Sequence, residues 1–203
     1  MRCFAFGALL LFAASASAND RLGRLDESVV APACRHYENV PADAPQRVVL
    51  QAKVSIASCT AMIRLNGAQR TLVAPEASRD ALSQAARPVL DMLDDVITAG
   101  DPAASILAQA AKANIYDGMA VRLRDTVPPI SATTTGEALA QHDRRHAEIE
   151  PMLTPWLDHA TAANQAVAAL GERHPELQSD PVLQTAVRES QTALSSSTLS
   201  AER

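Results

Sequence analysis

Between Ile149 and Leu170 the apolar residues Ile149, Leu153, Trp156, Ala160, Ala163, Val167 and Leu170 recur at alternating steps of four and three. At 3.6 residues per turn this rhythm lays one narrow apolar seam along a helix. A strand, whose side chains alternate with period two, has no use for it. Trp156, the single tryptophan, stands on the seam beside Ala160 and Ala163. A large ring next to small side chains suits a helix pressed closely onto its neighbours.

The same rhythm organises the rest of the chain. Asn19-Asp20 can cap a first helix carrying Leu22, Leu25 and Val29, with Pro32 interrupting it and Tyr37 near its end. After the loop Asn39 to Pro45, a second helix from about Gln46 shows Val49, Ala52, Ile56, Cys59 and Ile63 on one face, and Asn66-Gly67 should close it. A third, Pro75 to Thr98, carries Leu82, Ala86, Val89, Leu93 and Val96, with a kink expected at Pro88. Asp101-Pro102 is an N-cap followed by proline at the first helical position, and it starts a fourth helix running to Val127. Residues 128–136, rich in proline and threonine, read as a linker, after which Thr134 and Glu137 form a capping-box pattern. The fifth segment spans Gly136 to Arg173. Pro151 and Pro155 either bend it or, with Thr154 as a fresh cap, split it. His174-Pro175 ends it, Asp180-Pro181 repeats the earlier start signal, and Leu183, Val187, Ser190 and Leu194 mark a last helix. The tail 195–203 should fray. The expectation is an all-α protein of six to seven helices, either an irregular bundle or stacked helical hairpins. One helical region covers 19–127 and a second covers 137–194.

The first eighteen residues have another purpose. Arg2 precedes the apolar run Phe4 to Ala14, and Ala16-Ser17-Ala18 offers a small–x–small cleavage site. These are the marks of an export signal cut after Ala18. The run falls short of the roughly 20 residues that span a bilayer. No later stretch reads as apolar enough to span, so no membrane span is expected. All three phenylalanines leave with the signal, and the core must then be built from Ala, Leu, Val, Ile and Met, which favours helix over sheet. The formal net charge is −5, and losing Arg2 makes it one unit more acidic. With no basic patch interleaved with aromatics, nucleic acid is not an expected partner.

Cys34 and Cys59 are the cysteines left after export, and two thiols in an oxidising compartment pair. Closing a loop of about 25 residues contributes roughly 3 kcal/mol in the chain-entropy account. Cys34 lies nearer the turn than Cys59 does, so pairing requires an early end to the first helix or a loop that climbs along the second. His142 and His146 stand one turn apart on one helical face, as on zinc-binding helices, with Glu150 a turn further and His159 beyond. In the zinc-peptidase pattern a glutamate follows the first histidine. Here that residue is Asp143, so a solvated charged face competes with a metal site. Asp91, Asp94 and Asp95 share a helix face without the loop that calcium needs. Arg122, Arg124, Arg144 and Arg145 offer an anion- or partner-binding surface, or simply exposed charge. There is no Gly-x-Ser-x-Gly and no phosphate-cradling glycine loop in a chain with seven glycines, so no catalytic residues and no cofactor are assigned.

Two segments carry a family likeness. Ala113 to Pro129, and Arg145 to Pro151 continuing through Pro155 to Asp158 and Arg173 to Pro175, resemble the C-terminal helical part of exported bacterial proteins related to tetratricopeptide-repeat scaffolds. The 34-residue repeat of that family is not legible in the chain. The resemblance implies a non-enzymatic protein that holds another cell-envelope protein. The resulting expectation is a periplasmic or secreted scaffold, with partner binding near the Trp156 seam or at Arg122, Arg124, Arg144 and Arg145. The alternative is a ligand- or metal-binding helical protein using His142 and His146, and behind it a divergent hydrolase built on the same histidines.

Overall fold

The computed structural model describes residues 28–69, 74–127, 129–130 and 135–201, with side chains as far as 196. The export signal at 1–18, the start expected at Asn19-Asp20 and most of the linker lie outside the described residues. Among the described residues five α-helices follow one another: α1 (Gln46–Gln69), α2 (Pro75–Thr98), α3 (Pro102–Arg124), α4 (Gly136–Arg173) and α5 (Pro181–Ala201). Short 3-10 helices occupy Pro32–Glu38 and Pro175–Ser179, and no strand occurs among the described residues. The all-α bundle expected from the sequence is the observed fold.

α3 is the central element and packs against all four other α-helices. Its sequence explains why. Ala103, Ala104, Ile106, Ala108, Ala111, Ala113, Ile115, Met119, Ala120 and Leu123 are buried, so the helix is apolar on nearly every side. Alanine lets neighbours approach from each direction. The main core joins Leu50, Val54, Ala57, Ala61 and Leu65 of α1 to the α2 stripe, to α3, and to Ile149, Leu153 and Trp156 of α4. A second core packs Ala103 and Ile106 of α3 against Val167 of α4 and Leu183, Ala186 and Val187 of α5. Residues on both sides of the linker therefore share one interior, and the α4 seam links its two halves.

Several local expectations need correction. The face assigned to α1 is right only in part: Val49 and Ile56 are buried, but the stripe that enters the main core is Leu50, Val54, Ala57, Ala61 and Leu65, and Ile63 is exposed. α1 is apolar almost all round, so periodicity alone does not choose its inner face. For the same reason α1 is long and apolar enough to cross a membrane by length and composition, contrary to the expectation that no later stretch is. In the bundle 44% of that window is buried. Asn66-Gly67 does not end α1, which continues to Gln69. The Asn66 side chain is used across the fold instead, accepting a hydrogen bond from Arg122 at 2.6 Å.

Pro32 begins a 3-10 helix rather than interrupting a longer one. α3 stops at Arg124, three residues before the expected Val127. There the Thr126 amide and hydroxyl both donate to the Leu123 carbonyl, at 3.1 and 2.7 Å. The α4 cap is Thr135, which accepts from the Ala138 amide, one residue after the position assigned from the sequence. α4 is continuous through Pro151 and Pro155, and Thr154 donates to the Glu150 carbonyl within it instead of capping a new helix. α5 extends to Ala201, past the expected start of the tail at Ser195.

Other signals read correctly. α2 runs from Pro75 to Thr98 through Pro88 and buries Leu82, Ala86, Val89, Leu93 and Val96. Gly100, at φ 78°, makes the left-handed turn into α3. Asp101 accepts from the Ala104 amide at 2.9 Å, and Asp180 accepts from the Val182 amide at 2.8 Å.

Cys34 and Cys59 form a disulfide, with Cα atoms 5.8 Å apart. Both routes foreseen for it contribute. The segment before the loop is only the short 3-10 helix, and Val40 and Ala44 then pack on Val49 and Ala52 as the loop climbs along α1. The Ala31 amide also donates to Thr60 on α1.

Candidate binding groove

Where α1, α3 and α5 meet, the bundle leaves a long open trough of about 1090 Å³. α1 supplies one wall through Gln51, Ser55, Ser58 and Met62, whose steps of four, three and four put them on one face. That face lies beside the buried Leu50–Leu65 stripe, and Val54 of the stripe also lines the trough. α3 supplies Leu107, Ala110, Ala111 and Asn114, and its two alanines keep the floor low. α5 supplies the other wall from Val182 to Glu189. Tyr37, held beside α1 by the Cys34–Cys59 bond, closes one edge.

Three large apolar side chains line this trough in the open: Tyr37 is 41% exposed, Met62 57% and Val182 63%. Single exposed apolar residues are ordinary on protein surfaces, whereas a set around one concavity marks a place where something else can bury them. The charged residues lining the trough are Asp180 and Glu189, both acidic. A narrower compartment of about 240 Å³ continues past Ser58 and Met62 toward Leu65, Gly118 and Arg122. Arg122 donates to the Gly118 carbonyl at 2.9 Å as well as to Asn66, while its Nε is buried without a partner. Gly118 leaves room for that guanidinium, because a Cβ there would meet Arg122 Nη1 at 3.0 Å.

The residues singled out from the sequence have other positions. Trp156 is 7% exposed and belongs to the main core, so the seam expected to bind a partner is already filled by the chain's own helices. Arg122 is tied into the α1–α3 contact. Arg124 is exposed, and its charge partly offsets the burial that pushes the Asp117 carboxyl upward. Arg144 is exposed and Arg145 half-buried on α4.

His142 and His146 do lie on one face of α4, with ring centroids 6.1 Å apart. Each is turned to its own carboxylate: His142 Nδ1 sits 3.3 Å from Asp143, and His146 Nε2 sits 3.7 Å from Glu150. Among the described residues no group of three His, Cys, Asp or Glu side chains is placed to hold a metal, so the His142, His146 and Glu150 set does not assemble as one. His159 stacks on Tyr116 of α3 at 4.9 Å instead of joining them. Burial, then Asp94, then Asp91, raise the Tyr116 phenol above its ordinary value. Asp94 itself pairs with Lys112.

The trough residues escaped the sequence reading. Met62 falls outside the 3–4 stripe on an apolar helix, and Val182 sits in the first turn of α5, positions that carry no motif. The one available signal was apolar residues out of phase with a buried stripe.

The chain matches no protein-family model, no curated protein and no solved structure.

Proposed function

We propose that this is an exported, non-enzymatic helical protein of the cell envelope that holds a partner in the trough between α1, α3 and α5. The observation that carries the reading is the exposure of Tyr37, Met62 and Val182 around an alanine floor, in a concavity that the described residues leave open. The Cys34–Cys59 bond and the signal-like N-terminus support export, since disulfides persist in oxidising compartments. Resemblance to exported tetratricopeptide-repeat scaffolds belongs to the same reading, because helical hairpins present concave surfaces to partners. Among the described residues no group of three His, Cys, Asp or Glu side chains is placed to hold a metal, which favours the docking reading over the metal-binding one.

Site-specific photocrosslinking in the native cell tests the proposal. A benzophenone amino acid at Ser58, exposed on the trough wall, should yield one discrete adduct that the same probe at Thr154, exposed on α4, does not. Identical adducts from both positions, or none from Ser58, would overturn it.

A further inference from the structure

We infer that the occupant of the trough is a basic amphipathic helix, its apolar face on Tyr37, Met62 and Val182 and its Lys or Arg side chains beside Asp180 and Glu189. This rests on the docking reading above and adds the partner's chemistry. Three features of the trough carry it.

The first is backbone chemistry. All three walls are α-helices, whose amides and carbonyls are already bonded along their own axes. Among the described residues no open sheet edge is present to pair with an extended peptide. A strand laid here would bury its own amides unpaired, at a cost of roughly 1–3 kcal/mol each. A helix brings its backbone bonds with it, which is the logic of helix-in-groove recognition.

The second is length. The wide and narrow compartments together run from Gln51 to Leu65 along α1 and from Leu107 to Arg122 along α3. At 1.5 Å per residue this is roughly 21 Å, the length of about fourteen helical residues. Ala110 and Ala111 allow a close approach to the floor.

The third is charge. In the wide compartment both charged lining residues are carboxylates, and neither has a cationic partner among the described residues. Asp180 caps α5 through backbone amides and keeps its negative charge. Arg122, the one cation among the described lining residues, belongs to the narrow end, where it faces the Gly118 carbonyl and Asn66. The occupant's basic flank therefore meets the wide end. An acidic helix or a fatty acid would set its own carboxylates against Asp180 and Glu189.

The test uses three fluorescent model peptides of about eighteen residues with one shared leucine face and polar faces of lysine, glutamine or glutamate. Their anisotropy is followed on the full chain. The lysine peptide should bind at least about tenfold more tightly than the glutamate peptide, with glutamine between. Glu189→Lys should narrow that preference. Ser58→Trp, which fills the trough from an exposed position, should weaken the lysine peptide by about tenfold or more, and Met62→Ser should weaken it less. Helical circular dichroism checks that each variant is folded.

Equal binding of all three peptides, lost in Ser58→Trp, would sink the basic partner and leave trough docking standing. Lysine-peptide binding untouched by both Ser58→Trp and Met62→Ser would sink the trough as the docking site. No binding by any peptide would sink the helical occupant, while the crosslink at Ser58 still decides the broader reading.

Discussion

Val187 of α5 rests on Gly171 of α4 so closely that a Cβ at Gly171 would come within 2.8 Å of Val187 Cγ2 and 2.9 Å of its Cγ1. This contact sets how near the two helices lie beside the second core. Both Val187 methyls are in the way, and valine is stiff about χ1 in a helix, so no rotamer change clears the space. Alanine at Gly171 would gain about 1 kcal/mol in helix propensity. Overpacking of this kind costs about 1–3 kcal/mol, and with two blocking methyls we expect it to win. Gly171→Ala should lower the melting temperature, and Gly171→Ala with Val187→Ala should recover part of the loss. A higher Tm in the single variant would show that α5 shifts freely.

The Cys34–Cys59 bond closes a 25-residue separation between the 3-10 segment and α1. Replacing both cysteines by serine should cost about 3 kcal/mol in denaturant unfolding, read as a lower midpoint. Reductant should shift the native protein by a similar amount and leave the double variant where it is. The bundle should survive, since the Leu50 to Trp156 core does not include the bridge.

Tyr116 gives a pH signature. Burial, Asp94 and Asp91 all disfavour its phenolate, so its pKa is raised in the folded protein. For a group raised on folding, the associated stability is fully present below the unfolded value of about 10 and is lost as pH climbs through the folded value. Tyrosinate absorbance should show Tyr116 titrating above that value. Asp94→Asn should bring it part of the way down, because burial is the larger cause. Tyr116→Phe should flatten the alkaline loss of stability.

The paired histidines of α4 yield a negative expectation. Zinc in excess should leave the Tm unchanged, because a ligand stabilises only the state that binds it and no third donor is in place among the described residues. His142→Ala with His146→Ala should shift stability by less than about 0.5 kcal/mol, as surface substitutions do. Stoichiometric zinc in the purified protein, lost in that variant, would restore the metal-binding alternative.

What could be read in advance follows from how much contrast each helix carries. α2 alternates charged and apolar residues sharply, and its boundaries and five inward residues were legible from Pro75 to Thr98. The α4 seam was equally plain, and its residues are buried from Ile149 to Val167. α1 lacks that contrast: with Val48, Met62 and Ile63 apolar as well, the inward face depends on where α2 and α3 press. Trp156 shows the limit from the other side. A seam marks burial without saying whether a partner or the same chain covers it, and here α3 and its neighbours do. The trough was hard to read because it is defined by what α1 and α5 leave uncovered on α3, a property of assembly whose one trace in spacing is apolar residues out of phase with a buried stripe.

The bridge from Cys34 to Cys59 has a further consequence for when the trough becomes complete. Tyr37 is three residues from Cys34, and Cys59 lies on the wall Tyr37 adjoins, so the bond hinges the trough's lip to its side. A newly made chain with both thiols reduced can assemble its helices and still carry that lip unlatched. Competence to bind would then ripen later than folding, at a pace set by the thiol oxidants of its surroundings.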